Sequence, residues 1–349
     1  MKKFLIILTA LMLVMAMFTA CGEEKTEVLD NYGGNTEAKN PENTENENEK
    51  FTLEYPEDMQ ELGFTEPLIL DKAPDRVVCL SAAPVLALYE LGVNMVGIPN
   101  SMVVQWPEDL AQSTERVSFS VMSPDDFDYE AVVALEPDLV LLASNGADTV
   151  GKTLEDLGIS VYYLYAGHTV SYESIKMQTE ALIDAFGKSG DAKTAGENIM
   201  QRFSDLESRI VNAKKAFSGK TVMVLQSGDA QTHYIQTKGG TLGSMLDMLG
   251  FENVFENPSP MVQLDYEQAL DYQPDWLVCV GATDAESHRA LMDEAFAYNP
   301  DYWNAYTAVS EGRVICLDVT YVSTAGINVI DNISALIDIM SEATGTAVE

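Results

Sequence analysis

The sequence predicts an α/β protein. It has two similar lobes with mostly parallel sheets flanked by helices, a long helical connector and a cleft between the lobes. Three observations carry this prediction. First, two segments 137 residues apart match: Asp128-Tyr129-Glu130 precedes Pro137-Asp138-Leu139-Val140-Leu141, and Asp265-Tyr266-Glu267 precedes Pro274-Asp275-Trp276-Leu277-Val278. Second, the strands after each Pro-Asp are continuously apolar, as strands buried on both faces of a parallel sheet must be. Third, residues 172–217 contain no proline and place Ile175, Leu182, Ile183 and Phe186, then Ile199, Phe203, Leu206 and Ile210, at helical spacing.

The elements follow in order. Residues 1–20 form a signal peptide: Met1-Lys2-Lys3, an apolar run from Phe4 to Phe18, and small residues at its end. Phe18-Thr19-Ala20-Cys21 carries the pattern at which a bacterial signal peptidase cuts before a cysteine that is then lipidated, which makes Cys21 the lipidation site. Residues 21–50 hold that cysteine and an acidic tether. From Gly22 onward the tether has nine acids, three lysines and almost no large apolar side chains, too little to offset its ordering entropy. Residues 51–171 form the N-terminal lobe, 172–217 the connecting helix, divided by Gly187 and Gly190, and 218–349 the C-terminal lobe.

Within the lobes, Asp128 and Asp265 each cap a short helix that ends before a proline. Val77-Val78-Cys79-Leu80-Ser81 matches Val222-Met223-Val224-Leu225-Gln226-Ser227, each a buried strand opening its half. The helix after each closes in Leu-Gly, at Leu91-Gly92 and Leu249-Gly250, where glycine supplies the left-handed cap.

Composition limits the functions. Lys and Arg total 20 against 55 Asp and Glu, a formal net charge of −35. So acidic a surface repels phosphodiester backbones and anionic lipid, which excludes nucleic acid as a partner and leaves the lipid anchor as the membrane attachment. Cys79, Cys279 and Cys316 lie inside apolar runs, odd in number and without metal-site spacing, so they read as free core thiols.

The segment Lys72-Ala73-Pro74-Asp75-Arg76-Val77-Val78, the Asp128 to Leu141 stretch, Gly250-Phe251-Glu252-Asn253-Val254 and the run Tyr302 to Val314 together resemble the helical-backbone (class III) ABC-transporter substrate-binding proteins. The resemblance spans roughly residues 65 to 340. It implies a monomeric, extracytoplasmic receptor, lipid-anchored to the cell membrane. Such a receptor captures a ferric siderophore, haem or cobalamin in the cleft and delivers it to an ABC-transporter permease dimer. It also implies no enzymatic activity and no resident cofactor, since the metal complex is cargo. In the family a glutamate on the first helix of each lobe docks onto permease arginines. Here those positions align with Leu86 and Met245, with Glu90 and Asp247 close by. Either the docking is more apolar in this chain or the alignment slips at these helices.

Ligands of open α/β sheets lie at the carboxyl ends of the strands. The loops at those ends select Ser81, Trp106, Phe119, Asn145, Tyr165 and His168 in the first lobe, and His233, Tyr234, Met261, Thr283 and Tyr321 in the second. Trp106 is the best stacking platform for a macrocycle, and His168 and His233 are the candidate ligands for a haem iron or cobalt centre. His288, inside a helix beside Arg289, reads as a surface residue, and Trp276 and Trp303 read as structural. None of the selected loops holds an arginine, which favours a neutral or large apolar ligand over a polyanionic chelate.

Gly146-Ala147-Asp148-Thr149-Val150-Gly151-Lys152-Thr153 matches the phosphate-loop pattern G-x4-G-K-[ST] letter for letter. Asp148 would place negative charge where phosphates belong, and Thr149 and Val150 resist the backbone angles of such a cradle. The stretch reads instead as a helix capped by Gly158. A hydrolase lacks its usual signatures: the chain has no G-x-S-x-G, no H-E-x-x-H and only three histidines. The remaining alternative is a surface scaffold or adhesin with a degenerate cleft.

Overall fold

The computed structural model describes residues 50–101, 104–117, 119–120, 126–166, 171–322 and 326–348. Cys21, the signal peptide and nearly all of the tether lie outside the described residues, as does His168. The chain enters through strand β1 (Phe51–Leu53), helix α1 (Glu57–Glu61) and strand β2 (Leu68–Leu70), with β1 and β2 paired antiparallel.

The first lobe is built on β3 (Val77–Cys79), β4 (Met95–Ile98), β5 (Glu115–Arg116), β6 (Leu139–Ala143) and β7 (Val161–Leu164). They form one sheet in the order β5-β4-β3-β6-β7 with every pair parallel. Parallel neighbours need crossovers, and α2 (Val85–Glu90), α3 (Glu108–Ser113), α4 (Tyr129–Ala134) and α5 (Lys152–Asp156) supply them. Asp128 caps α4 as its sequence position requires, its carboxylate accepting from Ala131 N at 2.9 Å.

Two helices connect the lobes: α6 (Tyr172–Phe186), capped by Ser171, and the 28-residue α7 (Gly190–Phe217). The break falls at Gly187 to Ser189, as the two glycines predict. Glu207 on α7 accepts from Lys176 Nζ at 2.6 Å and Tyr172 OH at 3.3 Å on α6, fixing their packing.

The second lobe carries β8 (Thr221–Ser227), β9 (His233–Gln236), helix α8 (Thr241–Met248), β10 (Glu252–Asn253), β11 (Met261–Gln263) and β12 (Trp276–Val280). Helices α9 (Ala285–Tyr298), α10 (Pro300–Trp303) and α11 (Thr307–Ser310) then lead to β13 (Val314–Leu317) and the terminal α12 (Val329–Thr344). The sheet order is β11-β9-β8-β12-β13, with β10 alongside β8. Strands β10, β8, β12 and β13 are parallel, while β9 returns antiparallel to β8 and β11 antiparallel to β9. The helix expected after Asp265 is only a 3-10 turn, Gln268–Asp271, though the Asp265 carboxylate does accept from Glu267 N and Gln268 N.

Both faces of β8 and β12 are buried. Val222, Val224, Val278 and Val280 pack toward α7, α8 and α12, while Met223, Leu225, Leu277 and Cys279 pack toward the aromatic cluster at Tyr302, Trp303 and Tyr306. That is why these strands lack any polar alternation. The paired Pro-Asp motifs play matching roles. Asp138 accepts from the backbone N of Asp75 and Arg76 at the start of β3, and Asp275 accepts from Thr221 N at the start of β8.

The lobes share a core. Ala87 of α2 packs in one cluster with Tyr172 and Ile175 of α6, Ile199 and Phe203 of α7, and Ile327, Ile330 and Ile333 near and in α12. At the same junction Gly326, with φ of 68°, lies so close to the Ala83 carbonyl that a Cβ would come to 2.0 Å from its oxygen. Among the described residues no helix is long and apolar enough to cross a membrane.

Candidate functional site

In the first lobe the carboxyl ends of the parallel strands carry Ser81 after β3, Trp106 after β4, Phe119 after β5, Asn145 after β6 and Tyr165 after β7. Trp106 is half-buried and held by its indole N–H, which donates to Pro99 O at 2.9 Å. Phe119 packs over Gly146 and meets Phe127 edge-on with ring centroids 6.1 Å apart. The structure therefore brings the loops after β5 and β6 together, with Asn145 exposed beside them. Tyr165 is half-buried, its backbone N–H donating to Gln178 Oε1 of α6 at 3.1 Å. Ser81 Oγ accepts from Ala83 N at 3.4 Å, next to the Gly326 contact. A narrow crevice lined by Ala83, Leu164, Gln178, Thr179 and Gly326 runs beneath this junction.

The phosphate-loop match is a packed helical segment. Residues Ser144–Gly146 form a 3-10 turn, Ala147–Gly151 a π turn and Lys152–Asp156 an α-helix. Phe119 fills the space over Gly146, the Tyr163 hydroxyl fills that over Gly151, and exposed Lys152 faces Asp156 at 3.6 Å. No amide cradle is left for a phosphate.

In the second lobe the candidates separate. Thr283, exposed after β12, accepts from Val319 N at 2.9 Å, joining the loops after β12 and β13. Tyr321 does not face solvent: it is buried and donates to Asn332 O at 3.3 Å, and burial with Asp318 nearby pushes its hydroxyl up to about 12. Met261 is exposed but pairs with Gln236, level with the middle of β8 rather than at its carboxyl end. Tyr234 is half-buried, between Gln226 of β8 and Gln263 of β11.

His233 is a correction to the cleft assignment. It lies inside the lobe, 2% exposed, with Nδ1 2.6 Å from Ser227 Oγ and its ring edge-on to Trp303 at 5.3 Å. His288 is a second correction: it is fully buried against Gly281, and neither ring nitrogen has a hydrogen-bond partner among the described residues. Burial lowers the pKa of both. For His233 the Ala230 backbone and Asp229 oppose the shift, and for His288 the neighbouring His233 adds to it. The sequence places His288 on the surface because it lies in a helix beside Arg289, yet the side facing the sheet at this turn of α9 is its own. Outside it, Gly228 to Thr232 and the α9 residues Ser287, Ala290, Leu291 and Glu294 line an open groove of about 710 Å³ at the carboxyl end of β8. Another, of about 620 Å³ near Lys238 and Glu256, lies at the opposite end of the sheet.

The docking candidates also separate. Met245 is core, packed with Leu242 and Leu246, and cannot present itself to a partner. Leu86 is half-buried against that same core. Glu90 pairs with Arg202 of α7 at 3.0 Å, and Asp247 is exposed. Burial of Met245 removes it as a docking residue, and the exposed side chain nearest it in sequence among the docking candidates is Asp247. Among the described residues no three His, Cys, Asp or Glu side chains gather as a metal site.

Comparison with known proteins places this architecture. A "Cobalamin-binding protein" of Halobacterium salinarum is 22% identical over 282 residues, covering 79% of this chain and 72% of that protein. The crystal structure of an ABC transporter substrate-binding protein from Listeria monocytogenes superposes with a TM-score of 0.58 at 23% identity, over 77% of this chain and 98% of that one. S. aureus IsdE, solved complexed with heme, gives a TM-score of 0.57 at 20% identity over 76% of this chain and 99% of its own. These structures share the two-lobed fold. Residues 77–321, from the first strand of the first lobe's sheet to just beyond the last strand of the second, match the periplasmic binding protein family, and the chain belongs to it.

Proposed function

We propose that this protein is an extracytoplasmic, lipid-anchored receptor. It captures an iron complex or a corrinoid between its lobes and delivers it to an ABC-transporter permease. The observation that carries the reading is the junction: one apolar core runs from α2 through α6 and α7 to α12. A shared core of this kind resists wide hinge motion, which suits a receptor whose cleft is largely preformed around a bulky, rigid ligand.

Binding is non-covalent. The first lobe offers the aromatic wall, with Trp106, Phe119 and Tyr165 on successive loops, and Ser81 and Asn145 as polar contacts. Thr283 adds a polar contact from the loop after β12. The selected loops hold neither Arg nor Lys, so the ligand is recognised by stacking and neutral hydrogen bonds rather than by bidentate charge pairing. This favours haem, a corrinoid or an uncharged hydroxamate chelate, in keeping with the named ligands of the cobalamin-binding and haem-bound relatives. Docking on the permease uses the exposed Asp247 side of α8 and the Glu90 end of α2.

The test is a thermal-shift and absorbance titration against haem, cyanocobalamin, a panel of ferric siderophores and Mg-ATP. A ligand that binds only the folded state stabilises it by about 2.7 kcal/mol at a hundredfold excess over Kd. A shift with one metal complex alone, lost in Trp106→Ala, supports the reading. Silence with every complex favours the scaffold alternative, and a shift with ATP alone overturns it.

A further inference from the structure

Three of the chain's cysteines lie on described strands, and two of them are neighbours. Cys279 of β12 and Cys316 of β13 are directly paired residues on adjacent parallel strands, so their side chains leave the same face of the sheet. Paired strands lie about 4.8 Å apart, within the range of Cα separations that a disulfide spans. The Cys316 side chain packs against the cluster that contains Cys279.

We propose that Cys279 and Cys316 form a thiol–disulfide exchange site that reacts with small-molecule disulfides and closes to an intramolecular disulfide. This goes beyond ligand capture and does not depend on it.

The two positions are unequal in a way that assigns their roles. Cys279 is fully buried, whereas Cys316 is partly open to solvent. Above Cys316 stands Arg289 of α9, whose guanidinium also donates to Val314 O at 3.1 Å and pairs with Asp293 at 3.2 Å, so the cation is held in place. The hydrogen bond from Cys279 and then the Arg289 cation lower the Cys316 pKa against the opposing effect of burial, while the same shared proton and full burial raise that of Cys279. Cys316 is therefore the attacking thiolate and Cys279 the resolving thiol.

The chemistry balances in two steps. Cys316 thiolate attacks one sulfur of the external disulfide, forming a mixed disulfide and expelling the other half as a thiolate. Cys279 then attacks Cys316 Sγ and expels the second half, which takes up the Cys279 proton and leaves as a thiol. Two protein thiols are oxidised by two electrons as one external disulfide is reduced to two thiols. The product clasps β12 to β13, whose following loops already meet through the Val319 N to Thr283 O bond. Cys79 in the first lobe is the built-in control. It is fully buried, its only polar contact among the described residues is Met95 Sδ at 3.7 Å, and burial alone raises its pKa.

The test treats the reduced full chain with oxidised glutathione near pH 8, then alkylates and maps the peptides. The expected result is a Cys279–Cys316 cross-linked peptide with no glutathione retained on either residue and Cys79 unmodified. Cys279→Ser should retain glutathione on Cys316. Cys316→Ser should leave Cys279 free, with Cys316 in the native chain reacting at least about tenfold faster than Cys79. Protection of Cys79 reports in each sample that the fold is intact. Free Cys316 and Cys279 in the native chain after exchange, or glutathione retained there without cross-linking, would overturn the proposal.

Discussion

The two lobes solve the same packing problem with different polarity. In the first lobe, all five strands of the main sheet are parallel, and among the described residues 50–166 no Ser, Thr, Asn, Gln, His or charged residue is buried as a whole, though the carboxylate oxygens of half-buried Asp58 are shut off from solvent. In the second, β9 enters as the return arm of a hairpin, and Ser227, His233, Gln236, Thr237 and His288 are all buried. Most of these serve the ends of that hairpin. Gln236 Oε1 accepts from Leu242 N and Gly243 N at the start of α8, and its amide donates to Gln226 Oε1. Thr237 Oγ1 donates to Ser259 O at 2.9 Å. The chain leaves this hairpin through tight loops and the start of α8, whose backbone groups no neighbouring strand reaches, and buried side chains supply their partners.

The most severe way to break this comparison is Phe203→Ala. That side chain is fully buried in the core common to both lobes, and its loss costs about 3–5 kcal/mol. Hydrogen exchange should show both sheets losing protection together; one sheet keeping its native protection would mean the lobes are independent. Gly326→Ala comes next, at about 3 kcal/mol, because it adds a left-handed backbone penalty to a clash with Ala83 O. Gly158→Ala, with φ of 83° and open space around it, should cost only about 1 kcal/mol, so equal losses of Tm would remove the junction's special status.

The third prediction concerns pH. His233 and His288 have folded-state pKa values below the unfolded value, so the unfolded chain binds more protons as pH falls through about 6.5. Stability is complete above that pH and is lost below it, down to the folded pKa, with a slope of up to about 1.4 kcal/mol per pH unit for each histidine. Asp229, Ser227 and Trp303 face His233, while His288 packs on Gly281 near His233. His288→Phe should flatten the denaturation midpoint's pH dependence between 7 and 5.5. An unchanged slope would show that carboxylates set it. The smallest effect sharpens the symmetry instead: Asp138→Ala and Asp275→Ala should each cost about 1 kcal/mol in urea unfolding, because each removes a hold on the backbone where the chain enters the opening strand of its lobe's sheet.

Much of the fold was legible because burial on both faces writes itself into β6, β8 and β12 as unbroken apolar runs, and because Asp128 and Pro137 recur at Asp265 and Pro274. The connector's division into α6 and α7 followed from Gly187 and Gly190. What the pattern hid was the orientation of β9. His233-Tyr234-Ile235-Gln236 is short and polar at both ends, so it carries no clear strand period, and His233 and Tyr234 read as part of a loop at the rim. The Asp229 turn, whose carboxylate accepts from Gln231 N and Thr232 N, was the available sign of a hairpin. Met245 illustrates the helical counterpart: on the eight-residue α8 a step of two residues, from Met245 to Asp247, exchanges the core face for the exposed one.

The hairpin also decides where the protein begins to fold. Ser227 and His233 meet after closing a loop of a few residues, an event on the order of microseconds. In the first lobe, β3 must wait for β6, since Val77 pairs with Leu139 only after the intervening strands and helices have been gathered. The later half of the chain is thus the faster to organise. Pulse-labelled hydrogen exchange during refolding should therefore protect the amides of β8 and β9 before those of β3 and β6.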